Sequence, residues 1–286
     1  MNRRRLIRVP ASSANLGPGF DVLAAALSPT LTLEVEETGT FAVETTLDVP
    51  LDRTNLIVEA FERLHPADGF TFRVSSEIPL TGGLGSSASA VLAGLAAADH
   101  IFELSVDLLE HATAMEGHPD NVAAALHGGF VVCAGDGEVT RVNPPTGLEA
   151  LIAVPPASQS VATEAARAAL PAEIPLADSV FSQAHAVMLA LGLERADSEL
   201  IGRGLEDAIH QPRRAHLFPE SIEVMQQARG WGALGATISG AGPTVLIWTD
   251  WESTGNVFEA ARAAAPAGWQ INRATFTPQG LDVQAL

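Results

Sequence analysis

Hydrophobic and polar positions along this chain follow two periods that change over in blocks. Leu31–Glu37 and Thr71–Val74 alternate apolar with polar residues, the mark of half-buried strands. Between them Leu56, Ile57, Ala60, Phe61 and Leu64 recur on one side of a helix, predicted over Asn55–Leu64. A run of small residues predicts a long helix from Ser86 to Phe102. Ser105 is placed as the N-cap of the next helix, which Gly117 and Pro119 must end. A short helix over Asp120–Leu126 follows, closed by Gly128 and Gly129. Phe130–Ala134 and Leu151–Val154 are apolar enough to be buried strands.

Pro144-Pro145 and Pro155-Pro156 flank a domain junction, which divides the chain into residues 1–150 and 151–286. Beyond it the pattern turns helical over Thr163–Leu170, Asp178–Leu191, Glu199–Ile209 and Ser221–Arg229. Ala236–Ser239 and Thr244–Thr249 then read as strands around a tight Gly240-Ala241-Gly242-Pro243 turn. A helix near Asn256–Ala264 and a final strand near Asn272–Phe276 follow. The fold class is α/β (α+β), in two lobes.

Composition narrows the function classes. At 286 residues, with 47% hydrophobic and a mean hydropathy of +0.20, the chain carries ample material for a packed core. Its net charge of −18 argues against binding nucleic acid or a membrane surface. The only long low-polarity stretch is expected to be Ser86–Ala98, which is too short and too weakly apolar for a bilayer. Arg3, Arg4, Arg5 and Arg8 resemble the start of a signal peptide, but Pro10, Asn15, Gly17 and Pro18 follow where an apolar region is needed. A cytoplasmic protein is expected. Cys133 is the single cysteine, which excludes an internal disulfide and a cysteine metal cage. All 16 basic side chains are arginines. With no lysine, Schiff-base chemistry and a Walker-type P-loop are ruled out.

The segment Pro79-Leu80-Thr81-Gly82-Gly83-Leu84-Gly85-Ser86-Ser87-Ala88 carries the strongest chemical signal. Three glycines let backbone approach an anion, and the helix that follows offers unpaired N–H groups and its dipole. Ser86 and Ser87 can cap the helix or face a phosphate, and one of them can ligate Mg²⁺. Without lysine, backbone amides must do most of the phosphate recognition. Two other readings are a plain helix start and a dinucleotide fingerprint, Gly83-x-Gly85-x-x-Ala88. The fingerprint needs a buried strand running into its first glycine, whereas here the strand ends near Val74 and Pro79 interrupts.

In company with two further motifs, this loop resembles the GHMP kinases. The first is Pro10-Ala11-Ser12-Ser13-Ala14-Asn15-Leu16-Gly17-Pro18-Gly19-Phe20-Asp21, and the last is Thr237-Ile238-Ser239-Gly240-Ala241-Gly242-Pro243-Thr244. Within that superfamily the chain is similar to the homoserine kinases. Ser13–Asp21, Glu116-Gly117-His118-Pro119-Asp120-Asn121-Val122-Ala123 and His210-Gln211-Pro212-Arg213-Arg214-Ala215 carry that likeness, with Thr163–Arg167 as a further segment. One departure is Ala124-Ala125-Leu126, where the family often has a proline.

The resemblance implies two α/β lobes with the site in the cleft between them, ATP and L-homoserine as small-molecule substrates, and Mg²⁺ as cofactor. Many relatives are homodimers, although no interface signature is legible here. The implied product is O-phospho-L-homoserine, made for threonine biosynthesis; a mevalonate- or shikimate-type alcohol is the alternative acceptor. For the zwitterionic substrate the resemblance picks out Arg167 and Arg214 at the carboxylate, with Arg213 the weaker choice. It places Asp21 and Asp120 at the ammonium, Asn15 and Asn121 near the hydroxyl, and His118 and Gly240 nearby. Asn121 and Asp120 are the catalytic candidates, with Asn121 aligning the hydroxyl and Asp120 binding substrate rather than abstracting a proton. Ser87 with Glu116 would hold Mg²⁺, Glu110 being the rival carboxylate, and Asn55 would lie near the adenine. Each has a plainer reading as well: Asp120 and Asn121 as helix caps, His118 as a turn residue, Asn15 and Asp21 as loop chemistry, and 239–242 as a hairpin turn.

Overall fold

The computed structural model describes residues 3–80, 82–135, 137–159 and 162–286. Its strands are β1 (Arg4–Ala14), β2 (Leu23–Glu37), β3 (Ala42–Thr45), β4 (Phe70–Ser76), β5 (Phe130–Cys133), β6 (Val139–Val142), β7 (Leu148–Val154), β8 (Gly235–Ile238), β9 (Val245–Asp250), β10 (Gln270–Thr275) and β11 (Asp282–Ala285). The α-helices are α1 (Leu56–Glu62), α2 (Ser86–Phe102), α3 (Leu108–Glu116), α4 (Asp120–His127), α5 (Thr163–Ala168), α6 (Leu176–Arg195), α7 (Ser198–Arg203), α8 (Gln211–Arg214), α9 (Pro219–Gln227) and α10 (Thr254–Ala264).

Leu31, Leu33 and Val35 of β2 are buried while Thr32, Glu34 and Glu36 are partly exposed, the alternation of a strand with one wet face. β2 pairs antiparallel with β1, β4 and β5, and β3 joins β4 in parallel. β1 has no such alternation, because every residue from Val9 to Ala14 is buried. Pro10 sits in it where the pairing with β2 shifts register, the position at which a residue without an N–H is tolerated. Behind the sheet, α2 buries Val91, Leu92, Leu95 and Ile101. Phe61 of α1 meets Phe72 of β4 edge-on, with ring centroids 5.2 Å apart.

A second sheet runs in the order β10-β7-β9-β8. It shares a core with the first: Phe276, just past β10, lies 4.7 Å from the Phe130 ring of β5 and 4.8 Å from the Trp248 ring of β9. The chain then crosses back, and β11 pairs with β1 in the first sheet, Arg5 opposite Ala285 and Arg8 opposite Asp282.

Several expectations shift. The helix after Ser105 starts at Leu108, because the Asp107 side chain accepts from the Glu110 N–H and caps it; Ser105 instead takes a left-handed φ of 58°. The predicted Glu199–Ile209 helix stops at Arg203. Past it, Asp207 draws the N–H groups of Ile209, His210 and Gln211 onto its carboxylate in place of a continued helical ladder. The chain has a longer apolar run than Ser86–Ala98. Among the described residues α6 is the one helix long and apolar enough to cross a membrane by length and composition, with a mean hydropathy of 1.3. It buries Ser182, Leu189, Gly192 and Leu193 and leaves Leu176, Val180 and Val187 exposed.

Candidate functional site: a cleft between a glycine loop and paired charges

A cleft of about 290 Å³ opens where the two lobes meet. One wall is the loop before α2. Gly85 takes a left-handed φ of 69° at the N-cap of α2, and no side chain caps that helix. By contrast, Asn55, Asp107 and Asp197 cap α1, α3 and α7. The first amides of α2 therefore have no side-chain cap, at the positive end of a 17-residue helix that opens on the cleft. Gly83 has a φ of 90°, and a Cβ there would run into the Ser239 carbonyl. Both glycines are required by the backbone, not by flexibility.

The loop is tied to the second lobe. Ser239, fully buried, lies with its Oγ 2.6 Å from the Gly83 carbonyl, to which it donates, and 2.8 Å from the Ser13 hydroxyl. Thr244 donates its N–H to the Gly82 carbonyl at 3.1 Å, and Ser12 donates its own to Leu84. Ser86 turns its hydroxyl back onto the Leu80 carbonyl at 2.9 Å. Ser87 points elsewhere and donates to Glu116 Oε1 at 2.6 Å.

Across the cleft stand the charges. Arg167 makes a two-pronged pair with Asp21, both contacts at 2.9 Å. Arg214 is 2% exposed and donates through Nε to the Ala166 carbonyl. The two guanidinium carbons lie 5.4 and 5.2 Å from the Phe20 ring centre. Burial first, and then the like charge of Arg167, press the Arg214 guanidinium below its ordinary range. Asp120, also buried, accepts at Oδ1 from the Asn121 N–H at 2.7 Å and faces His118 Nδ1 at 3.0 Å. That contact lifts the His118 pKa above its ordinary value, against the pull of burial. Asn121 lies beside them, its amide oxygen held by the Ser12 hydroxyl at 2.9 Å, which leaves its Nδ2 edge as the donor edge.

Of the residues singled out from sequence, Asn15, Asp21, Leu80, Gly82, Gly83, Gly85, Ser86, Ser87, Glu116, His118, Asp120, Asn121, Arg167, Arg214 and Gly240 line this one cleft. Pro79, Leu84, Ala88 and Asn55 do not. Leu84 and Ala88 are buried under the loop, and Asn55 caps α1 while its Nδ2 donates to the Pro50 carbonyl. Thr81 lies outside the described residues. Asn15 spends its amide oxygen on the Asp21 N–H and donates to the Gly240 carbonyl. Its φ of 71° and that of 57° at Asp21 are left-handed, which Asn and Asp tolerate, while Leu16 between them, at 45°, carries the strain that collects at functional sites. Arg213 pairs instead with Asp178 at 2.7 Å. Glu110 sits in the first turn of α3, outside the cleft. Sequence reasoning gave no role to Phe20 or Ser12, since each acts through neighbours distant in sequence. The left-handed backbone around Asn15 is visible only in three dimensions.

A lysine-free glycine loop at a helix start faces arginines and carboxylates across one cleft, an arrangement that fits a small-molecule phosphotransferase. The family model for the GHMP kinase N-terminal domain matches residues 55–129, and that for the C-terminal domain matches residues 189–267. The chain is 39% identical to the homoserine kinase of Limosilactobacillus fermentum over 97% of its own length and 99% of the relative's. It is also 39% identical to that of Deinococcus radiodurans, over 85% and 84% of the two chains. Its fold matches the crystal structure of homoserine kinase from Cytophaga hutchinsonii with a TM-score of 0.86 and 30% identity, covering 99% and 98% of the two chains. The mevalonate kinase of Methanococcus jannaschii shares the fold at a TM-score of 0.72 and 15% identity. The chain belongs to the GHMP kinases and, within them, to the homoserine kinase family.

Proposed function

We propose that this protein transfers the γ-phosphoryl group of ATP to the side-chain hydroxyl of L-homoserine, giving O-phospho-L-homoserine and ADP in the cytoplasm. The observation that carries this reading is that Arg167, Arg214, Asp21 and Asp120 line the same cleft as the glycine loop. A ligand with a carboxylate at one corner, an ammonium at another and a hydroxyl directed at the loop satisfies all of them. Arginine forks match a carboxylate in two-point fashion, and acidic side chains take the ammonium.

The amides at the start of α2 and the loop glycines would hold the ATP phosphates. Ser87 and Glu116 offer the hard oxygen donors that Mg²⁺ prefers, one carboxylate and one hydroxyl beside the phosphate cradle. The donor set therefore fits, although no group of three or more His, Cys, Asp or Glu is placed for a metal among the described residues. When bound, the ion neutralises charge on the phosphates. Asn121, fixed by Ser12, aligns the substrate hydroxyl through its Nδ2 edge. The hydroxyl oxygen forms the bond to the γ-phosphorus, the bond to the ADP oxygen breaks, and the hydroxyl proton passes to the transferred phosphoryl group. With a loose transition state, positioning and charge neutralisation suffice, and no side chain is needed as base.

The test is ADP release by purified protein with Mg-ATP and a panel of homoserine, serine, threonine, mevalonate and shikimate. Stimulation by homoserine well above the others is expected; none by homoserine would sink the reading.

A further inference from the structure

His210 is fully buried behind the cleft, at the N-cap of the short helix that ends in Arg214. Its two ring nitrogens face unlike partners. Nε2 lies 2.7 Å from the Gly17 carbonyl oxygen, and Nδ1 lies 3.4 Å from Arg214 Nη1. A carbonyl only accepts and a guanidinium only donates. One protonation state satisfies both contacts: the neutral imidazole with its hydrogen on Nε2 and a bare lone pair on Nδ1. The surroundings favour that neutral form. Burial pushes the imidazole down and Arg214 pushes with it, while Asp207, 3.6 Å from Nε2, and Asp21 pull the other way.

Arg214 is thus gripped by two fixed acceptors, the Ala166 carbonyl on Nε at 2.8 Å and His210 Nδ1 on Nη1. The Phe20 ring packs on both partners, 5.4 Å from the His210 ring and 5.2 Å from the Arg214 guanidinium carbon. With those edges held, Arg214 still lines the cleft, where the rest of its fork can meet a ligand. We propose that His210 is a positioning residue that aims the Arg214 fork at the substrate carboxylate by accepting its hydrogen bond. This rests on the carboxylate assignment made above. It makes His210 a determinant of which acceptors are used, since a substrate without a carboxylate draws nothing from an aimed guanidinium.

Three variants and two acceptors test it. His210→Asn keeps an acceptor where Nδ1 stood, His210→Gln keeps only the donor toward Gly17, and His210→Leu keeps neither. The acceptors are homoserine and aminopropanol, which is homoserine without its carboxylate. The Leu and Gln variants should raise the homoserine KM by about tenfold to a hundredfold, the size of a lost hydrogen bond to a charged group. Their kcat and ATP KM should stay within a few-fold, the Asn variant should recover most of the homoserine KM, and kcat/KM for aminopropanol should not move. Should the Leu variant fail to fold, the Asn and Gln pair decides alone. Equal homoserine KM in Asn and Gln, or a parallel loss of kcat and both KM values in all variants, overturns the proposal. If the unaltered protein itself fails to prefer homoserine over aminopropanol, the carboxylate reading falls and takes this proposal with it. If it does prefer homoserine and the Gln variant keeps that preference, only the proposal falls.

Discussion

Ser239 donates to the Gly83 carbonyl at 2.6 Å, so the turn between β8 and β9 grips the phosphate loop from the opposite lobe. The contact joins residues 156 positions apart, and its Ser239 end is buried. It makes the loop a product of both lobes. Removing the hydroxyl leaves a carbonyl under the loop without its partner, which costs about 1–3 kcal/mol. Ser239→Ala should raise the ATP KM by about tenfold or more and the homoserine KM by much less. Steady-state kinetics with each substrate varied in turn will show it; equal changes in both KM values would count against the loop-holding role.

His118 and Asp120 form a pH-sensitive pair. The hydrogen bond to Asp120 raises the His118 pKa above its ordinary 6.5. A raised folded value means the stabilisation is complete below pH 6.5 and is lost as pH rises through the folded pKa. Denaturant unfolding of the parent and His118→Gln should therefore differ most on the acid side, and the gap should close as pH rises. A gap that widens with pH would contradict the assignment. Protonated His118 also competes with a substrate ammonium for Asp120, so the homoserine KM should fall over the same rise in pH.

Asp120 tests the base-free mechanism. Asp120→Asn keeps the shape and the N–H contact to Asn121 but removes the charge that would meet the ammonium. The homoserine KM should rise by tenfold or more, with kcat within about tenfold. Near-normal KM with kcat lower by several decades would instead identify Asp120 as a proton acceptor.

Glu116→Gln removes the carboxylate beside Ser87. Titration of the variant with Mg²⁺, followed both by activity and by calorimetric binding of ATP at each Mg²⁺ concentration, should show a half-saturation shifted upward by about tenfold, while Glu110→Gln leaves it in place. Equal shifts in the two variants would remove Glu116 from the ion's site.

Cys133 is buried in β5, and burial drives its thiol up to about 12. The thiolate is the reactive form, so the native protein should stay unlabelled by a thiol reagent at pH 8 and label fully once unfolded. Rapid native labelling would show that β5 opens readily.

Much of this was legible in the sequence where local rules decide. α2 runs from Ser86 to Phe102 as its small-residue stripe predicts, because Gly85 and Glu103 mark both ends in left-handed backbone. β1 was not legible as a strand, since its buried half carries Ser12 and Ser13 and shows no alternation. β3, β6 and β11 have four residues each, too few to display a period. At the site, the motifs named most residues of the cleft but not what holds them. Ser12 reaches Asn121 across 109 positions, and the Phe20 ring matters only because two arginines converge on it from α5 and α8. His210 lies in the His210–Ala215 motif, but its contact with Gly17 spans 193 positions and no local pattern shows it.

The return of β11 to β1 bears on how the protein is made. β1 leaves the ribosome first among the strands, yet its second neighbour is residues 282–285. A nascent chain that has reached Thr275 holds both lobes and the glycine loop, but the outer edge of β1 is still bare. Bare edges pair with whatever strand arrives. Until residues 282–285 pair with it, that edge of β1 is open to the strands of other chains.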